Sequence, residues 1–260
     1  MKNDQNNIIK KKIGIYDLTD CEGCELQLLA SRSKIEELLK YFDFVNFRLL
    51  GTENKNYLDV ALIEGTPLTQ SDIDLIHNVR KQSKIVIAFG TCAANGGIAA
   101  GIDAKERENF AKKIYSTKYA SLALVKSRRE NQMQTALPLS SYIKVDYIIS
   151  GCPVEPNVIF DLLMTLYNLG SIENQDFPVC QECKAQGNQC LLKNNEVCFG
   201  PIIQAGCGAP CPTAGHGCLG CLGLLKDANI KQFNAKLKKI GLSDARIEQL
   251  YNIFLKNRKI

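Results

Sequence analysis

Short apolar runs alternate with amphipathic stretches over the first 170 residues of the chain. The apolar runs predict five strands, at residues 13–16, 44–50, 58–63, 84–89 and 145–149. Apolar residues at helical spacing predict four helices, at residues 26–42, 71–81, 104–115 and 154–169. Strands that alternate with helices are typical of a parallel sheet with helices on both faces. The pattern therefore predicts an α/β domain.

Two of these helices carry more specific expectations. Ser71 is placed to cap the helix that ends near Lys81. The helix at 26–42 is expected to pack through an apolar face. That face would contain Leu26, Leu29, Ile35, Leu38, Leu39 and Phe42.

The pattern changes near residue 177. Eight cysteines lie between Cys180 and Cys221, among many glycines and prolines. Such a stretch cannot build a hydrophobic core of its own, so we expect a bound metal to hold it together. Beyond it, helices are predicted at 230–240 and 247–255, docked by their apolar faces either on this chain or on a partner. Deleting residues 227–260 is expected to weaken assembly and to leave the metal content intact. The predicted domains are 1–176, 177–225 and 226–260.

Twelve cysteines stand out in this chain of 260 residues. The polar residues 1–12 are not followed by a signal-peptide core, and no apolar run approaches the ~20 residues of a membrane span. Many cysteines without an export signal indicate a reducing compartment, here the cytoplasm, where disulfides are rare and thiols often bind metal.

The formal net charge of +5 is concentrated at the C-terminus. Residues 226–260 contain nine Lys or Arg and three Asp or Glu, so the rest of the chain is close to neutral. A nucleic-acid-binding protein would more often combine a basic stripe with a recognition motif, and we find no such motif. We interpret the basic tail as a solvated helix face, with a docking surface for an acidic partner as the second interpretation.

The first four cysteines each follow a predicted strand. Cys21 and Cys24 follow the first strand, Cys92 follows the fourth, and Cys152 follows the fifth. The carboxyl ends of parallel strands meet at one edge of the sheet, where α/β sheets bind ligands. Glycines beside these cysteines would let the backbone approach a bulky inorganic group and donate N–H bonds to its sulfides.

Other interpretations of this region are open. Cys92 and Cys152 would be buried apolar fillers if they behaved like many free cysteines, although glycine flanks both. Cys21 and Cys24 would form a redox pair in a thioredoxin-like protein, which leaves the other two unexplained. Glu64, at the end of the third strand, is expected to bond backbone near this site, to face a partner, or to cap a loop.

The other eight cysteines fall into two runs of four. Their spacing is Cys180-x2-Cys183-x6-Cys190-x7-Cys198, then Cys207-x3-Cys211-Pro212-x5-Cys218-x2-Cys221. Zinc is the alternative metal, because it also binds paired Cys-x2-Cys motifs. The Cys211-Pro212 pair matches the end of the bacterial ferredoxin run, and with dense glycine it favours two 4Fe-4S clusters, which would use all eight thiolates.

Four motifs of the first domain carry a family resemblance. They are Cys21-Glu22-Gly23-Cys24, Glu64-Gly65-Thr66-Pro67, GTCAANGG at 90–97, and Gly151-Cys152-Pro153. Together they resemble the small, electron-transfer subunit of NiFe hydrogenases. The eight-cysteine segment, with AGCGAPCP at 205–212, is similar to the cytoplasmic branch of sulfhydrogenase δ subunits and viologen- or deazaflavin-linked hydrogenase small subunits.

The resemblance implies an α/β, flavodoxin-like parallel-sheet domain, then a small cysteine-rich iron–sulfur domain and C-terminal helices. It also implies three 4Fe-4S clusters. The proximal cluster would be held by Cys21, Cys24, Cys92 and Cys152. The outer cluster would be held by Cys180, Cys183, Cys190 and Cys198. The middle cluster would be held by Cys207, Cys211, Cys218 and Cys221. The rival is a ferredoxin crossover that exchanges Cys198 and Cys211.

The function that the resemblance implies is electron transfer. The chain would relay electrons between the Ni–Fe site of a large subunit and a flavin or iron–sulfur partner, without being catalytic alone. A wiring subunit of a non-hydrogenase redox complex and a free ferredoxin-like carrier are the alternatives. The related subunit of proton-pumping quinone reductases ranks lower, because it has adjacent cysteines in its first loop and lacks the eight-cysteine segment.

Overall fold

The computed structural model describes residues 9–52, 57–102, 106, 109–110, 113–114, 135–168 and 176–257. Its strands form one parallel sheet in the order β2-β1-β3-β4-β5. They are β1 Lys11–Asp17, β2 Phe42–Asn46, β3 Leu58–Glu64, β4 Ser83–Phe89 and β5 Tyr147–Ile149. This is the flavodoxin-like strand order, and it confirms the predicted fold class.

Nine α-helices are described over their whole length. They are α1 Gly23–Ala30, α2 Arg32–Tyr41, α3 Gln70–Gln82, α4 Gly90–Asn95, α5 Pro156–Tyr167, α6 Val179–Ala185, α7 Pro210–Thr213, α8 Ile230–Lys239 and α9 Asp244–Phe254. The helix predicted at 104–115 lies mostly outside the described residues. No helix of the described part is long and apolar enough to cross a membrane.

The prediction of one helix at 26–42 is wrong. The segment forms α1 and α2, because the backbone leaves the helical conformation at Ser31 and each helix then packs separately against α5. Leu26 and Leu39, which we expected on the apolar face, are 52% and 41% exposed. The first of the two helices, α1, begins at Gly23 and so carries Cys24 in its first turn.

The N-terminus of α3 is capped by Thr69 rather than by Ser71. The Thr69 hydroxyl accepts a hydrogen bond from the amide of Asp72, and the Asp72 carboxylate accepts one from the amide of Thr69. This reciprocal pair is a capping box. Its sequence signal was the acidic residue three positions after the threonine, and the prediction of Ser71 overlooked it.

Two hydrophobic cores cover the two faces of the sheet. One joins the sheet to α1, α2 and α5, with Leu28, Leu38 and Leu163 fully buried. The other packs α3, α4 and the segment at 139–143 against β3 and β4. The carboxyl edge of the sheet lies between these cores, so the loops at that edge are fixed from both sides.

A third core joins the cysteine-rich segment to the two tail helices. Phe199 makes edge-to-face contacts with Phe233 and Tyr251, with ring centroids 5.2 and 5.0 Å apart. Leu237, Ile247 and other apolar residues of α8 and α9 are buried in the same core. The prediction that the tail docks by its apolar faces is confirmed. The cysteine-rich segment was expected to build no core of its own, and it shares this core with the tail.

The tail also contacts the sheet domain. The side-chain amide of Asn257 donates hydrogen bonds to the carbonyl oxygens of Asn95 and Ala136, at 2.8 and 2.9 Å. Gly101 passes so close to α9 that a Cβ there would lie 2.7 Å from the carbonyl oxygen of Asn252. The tail therefore links the loop after Cys92 to the cysteine-rich segment.

Candidate iron–sulfur sites

The first four cysteines lie at the carboxyl edge of the sheet, as the sequence predicted. Cys21 lies in the loop before α1, Cys24 and Cys92 lie in the first turns of α1 and α4, and Cys152 follows β5. Cys24 is buried, whereas Cys21 and Cys152 are exposed. The site is therefore closed toward the sheet and open toward the surface.

The thiols of this first set are close enough to influence one another. Burial raises the pKa of the Cys92 thiol to about 12, and the charges of Cys152 and Cys21 act in the same direction. Burial also raises the pKa of Cys24, where Glu64 and Cys92 add to the effect. Burial also raises the pKa of Cys152, and thiols whose pKa is raised in this way are ionised most readily when a metal binds them as thiolates.

Glycine gives two of these sulfurs the space that they occupy. A Cβ at Gly90, where φ is +85°, would lie 2.7 Å from the Sγ atom of Cys24. A Cβ at Gly97, where φ is +55°, would lie 2.7 Å from the Sγ atom of Cys92. Any other residue would displace a sulfur at these positions, so the glycines form a close backbone cradle.

Glu64 bonds backbone beside the site, which was the first of its predicted roles. Its side chain is 2% exposed, and its two carboxylate oxygens accept hydrogen bonds from the amides of Cys24 and Glu25 at 3.1 and 3.0 Å. Both amides belong to the first turn of α1, whose amides have no partners within the helix. Glu64 thus anchors β3 to the loop that presents Cys24.

Glu25 is a residue of this site that the sequence analysis missed. It is fully buried, and neither carboxylate oxygen has a hydrogen-bond partner within the described part of the chain. Burial raises the pKa of Glu25 to about 8, and the charges of Asp17, Glu64 and Asp20 act in the same direction. Its only sequence signal was its position directly after Cys24.

The second set of cysteines surrounds a small cavity. Burial raises the pKa of Cys180 to about 11, and the charges of Cys198, Cys183 and Cys190 add to the shift in that order. All four line a cavity of about 50 Å³ beside α6. A Cβ at Gly200 would lie 3.3 Å from the Sγ atom of Cys180 and 3.5 Å from that of Cys198.

The third set lies between the other two and consists of Cys207, Cys211, Cys218 and Cys221. Burial raises the pKa of Cys221 to about 12, with further contributions from the charges of Cys207, Cys152 and Cys211. Burial also raises the pKa of Cys218, to which Cys198, Cys221 and Cys207 contribute. The third set therefore has one neighbour from each of the other sets, Cys152 on one side and Cys198 on the other.

Backbone amides donate to several of these sulfurs. The amide of Cys218 donates to the Sγ atom of Cys198 at 3.3 Å, and the amide of Cys152 donates to the thiol of Cys221. The thiols of Cys24, Cys207 and Cys218 accept from the amides of Val154, Ala209 and Gly220. Such bonds favour thiolates and tune the potential of a bound iron–sulfur cluster.

The donor sets fit an iron–sulfur cluster, because each offers four thiols and glycine backbone borders the sulfurs of the first two sets. Zinc requires four thiolates about 2.3 Å from the ion, and hence about 3.8 Å from one another. Within the described ranges, no three His, Cys, Asp or Glu side chains converge closely enough to hold a single metal ion. A four-iron cluster needs wider spacing, because each thiolate binds a different iron atom.

Comparison with known proteins places the chain among redox-complex subunits. The family model of the NADH ubiquinone oxidoreductase 20 kDa subunit matches residues 21–166, more than half of the chain. The chain belongs to this family. Its similarity to hydrogenase subunits extends much further, through the cysteine-rich segment and the tail.

Two relatives match nearly the whole chain. The sulfhydrogenase 2 subunit delta of Pyrococcus furiosus is 33% identical over 94% of this chain and 98% of its own. A vhu subunit of the F420-non-reducing hydrogenase of Methanocaldococcus jannaschii is 32% identical over 95% of this chain and 93% of its own. These relatives confirm the resemblance to hydrogenase small subunits that the motifs indicated.

Solved structures support the fold. The Ni-Fe-Se hydrogenase of Desulfomicrobium baculatum superimposes with a TM-score of 0.56 at 16% identity, over 82% of this chain and 94% of that chain. An NAD+-reducing NiFe hydrogenase superimposes with a TM-score of 0.54 at 22% identity, over 64% of this chain and 95% of that chain. At these identities the likeness concerns the fold alone.

Proposed function

We propose that the chain is the electron-transfer small subunit of a cytoplasmic NiFe hydrogenase. It relays electrons between the Ni–Fe site of a large subunit and a flavin or iron–sulfur partner through three 4Fe-4S clusters. The observation that carries the proposal is the linear succession of the three cysteine sets. The first set meets the third at Cys152 and Cys221, and the third meets the second at Cys218 and Cys198.

The neighbours of each thiol support ligand groups in chain order. Cys198 is influenced by Cys183 and Cys190, and it is the main charged neighbour of Cys180. Cys211 is a neighbour of Cys207 and Cys221. We therefore assign the proximal cluster to the first set, the outer cluster to the second and the middle cluster to the third. A crossover of Cys198 and Cys211 would leave both without these neighbours.

Each bound cluster would accept and release one electron at a time. The chain's own residues hold the thiolates, exclude water and donate hydrogen bonds to sulfur. Glu64 fixes the loop of Cys24, and the tail core fixes the cysteine-rich segment. With all twelve cysteines assigned, no cysteine set is left for nickel, so hydrogen activation is assigned to the large subunit.

The exposed side of the proximal site is suited to a partner. Cys21 and Cys152 are exposed there, and Leu26 and Ile98 beside the ligand loops are 52% and 62% exposed. Exposed thiolates and aliphatic side chains at one edge favour a partner that covers them. This argues against a free ferredoxin-like carrier and for permanent assembly with a large subunit. The cytoplasmic location is supported by twelve unpaired cysteines.

The test is iron, sulfide and zinc analysis of the full chain, isolated anaerobically, with single Cys→Ala variants. Three four-iron clusters predict about twelve iron atoms per chain and no zinc. Cys190→Ala and Cys198→Ala should abolish the same electron paramagnetic resonance (EPR) signal, and Cys207→Ala and Cys211→Ala should abolish a different one. If Cys211→Ala abolished the signal that Cys190→Ala abolishes, and Cys198→Ala the signal that Cys207→Ala abolishes, the ligands would follow the crossover instead. A zinc-dominated chain would refute the proposal.

A further inference from the structure

We propose that Thr91 is a positioning residue that holds the proximal and middle ligand loops together for electron transfer between their clusters. This inference rests on the proposed function. Thr91 is 1% exposed, and its hydroxyl donates a 2.7 Å hydrogen bond to the carbonyl oxygen of Cys221. The same hydroxyl accepts a 3.2 Å hydrogen bond from the amide of Gly151. One side chain thus joins a middle-cluster ligand to the loop of a proximal-cluster ligand.

Main-chain bonds reinforce this junction. The amide of Thr91 donates to the carbonyl oxygen of Gly151 at 3.0 Å, so Thr91 and Gly151 are bonded in both directions. The next residue, Cys152, donates its amide to the thiol of Cys221. The backbone of a proximal ligand therefore contacts the sulfur of a middle ligand, and Thr91 braces both sides of that contact.

The neighbours of Thr91 explain why its position is well defined. Gly90 lies against the Sγ atom of Cys24, and Cys92 is itself a proximal ligand. Residues 90–92 therefore contact both a proximal sulfur and the middle-cluster loop within a single helical turn. A shift of Thr91 would change the separation of the two ligand sets, and electron tunnelling weakens exponentially with separation.

The junction between the middle and outer sets also has a hydrogen bond from a backbone amide to a cysteine sulfur, but a different side chain braces it. There the amide of Cys218 donates to the Sγ atom of Cys198. Glu182, from α6, accepts a hydrogen bond from the amide of Gly206 at 2.9 Å beside Cys207. Each junction thus combines an amide-to-sulfur bond with one bracing side chain, and Thr91 has that role at the first junction.

The transfer that Thr91 supports is a single-electron exchange. One electron would pass from a reduced proximal cluster to an oxidised middle cluster, with no bond formed or broken. Thr91 contributes geometry rather than chemistry. Its removal should therefore alter the interaction between the two clusters without removing either one.

The test compares three variants in the native complex. Thr91→Val keeps the shape and removes both hydroxyl bonds, whereas Thr91→Ser keeps the hydroxyl. Thr66→Val is the matched control, because Thr66 is also fully buried at this sheet edge but donates to the carbonyl oxygen of Leu137, at 2.9 Å. For each variant we would measure iron and sulfide content, the spin–spin interaction of the reduced proximal and middle clusters by EPR, and the rate of hydrogen-driven reduction of the middle cluster.

Thr91→Val should retain its iron and sulfide, show an altered spin–spin interaction, and reduce the middle cluster several-fold more slowly. Thr91→Ser and Thr66→Val should behave like the wild type. An unchanged interaction and rate in Thr91→Val, or the same change in Thr66→Val, would overturn the inference. If Thr91→Val loses iron, the smaller Thr91→Ala is measured in its place, and iron loss in both variants would also overturn it. A wild-type chain without two interacting clusters would instead contradict the proposed function.

Discussion

Replacing Leu237 by alanine tests whether the tail helices are the structural core of the cysteine-rich segment. Leu237 lies on α8 and is fully buried in the core that contains Phe199 and Tyr251. Two of the cysteines that we propose as ligands, Cys198 and Cys218, belong to the same core. A cavity at Leu237 would therefore weaken the scaffold that holds the middle and outer ligands.

The expected loss follows from complete burial. Truncation of a fully buried leucine to alanine costs roughly 3–5 kcal/mol, because the lost transfer free energy is added to the cost of the cavity. Total stabilities of domains are about 5–15 kcal/mol, so this loss is a large fraction of the stability available. Deletion of the whole tail should have a stronger effect and strip the middle and outer clusters, contrary to the expectation from the sequence.

The assay is guanidinium denaturation of the anaerobically prepared chain, followed by the visible absorption of its clusters. Leu75→Ala on α3 is the matched control, since Leu75 is 37% exposed and its truncation should change the unfolding free energy by about 1 kcal/mol or less. Leu237→Ala should lose cluster absorption at a much lower denaturant concentration. Equal midpoints for Leu237→Ala, Leu75→Ala and the wild type would refute the structural role of the tail.

Three further perturbations test other parts of the account. Glu64→Gln leaves only one of the two oxygens that accept hydrogen bonds from the amides of Cys24 and Glu25, and the lost bond is worth about 1–3 kcal/mol. The proximal site of this variant should therefore retain less iron than the wild type under mild denaturant, and equal retention would contradict the prediction. Asp146→Ala should lower the free energy of unfolding by about 1–3 kcal/mol, because Asp146 accepts from Arg80 and from the Val86 amide. Burial favours a raised pKa for Asp146, but those bonds hold its pKa below the usual value in the folded chain. The difference in unfolding free energy between variant and wild type should therefore shrink as the pH falls through the folded-state pKa of Asp146, and a difference that stays constant would contradict the argument. Cys152→Ala should abolish hydrogen-dependent dye reduction while the large subunit keeps its metals, and undiminished reduction would contradict the proximal assignment.

The sheet and the ligand edge were predictable because each rests on a local signal. Buried strands such as the one at residues 85–89 are continuous apolar runs, and parallel strands end at a common edge whatever their order. The cysteines that follow those strands were therefore expected to meet there. The cap at Thr69 was equally local, since its acidic partner lies three positions away.

The roles of Thr91, Glu25 and the tail depended on long-range packing instead. Thr91 reaches Cys221 across 130 residues, and no spacing rule connects a threonine to a carbonyl group so far along the chain. Glu25 is buried beside Asp17, Asp20 and Glu64, which come from β1, the loop after it and β3. The tail completes a core for a segment that has too few apolar residues of its own, and only the folded arrangement shows that the two segments meet.

The most direct test of the central claim compares the native complex with the separated chain under hydrogen. EPR spectroscopy would follow cluster reduction first with hydrogen and then with dithionite. In a complex that contains nickel, hydrogen should reduce the clusters of this chain. In the separated chain, hydrogen should leave them oxidised while dithionite reduces them. Reduction of the separated chain by hydrogen, or a native complex without nickel, would contradict its assignment as a hydrogenase electron-transfer subunit.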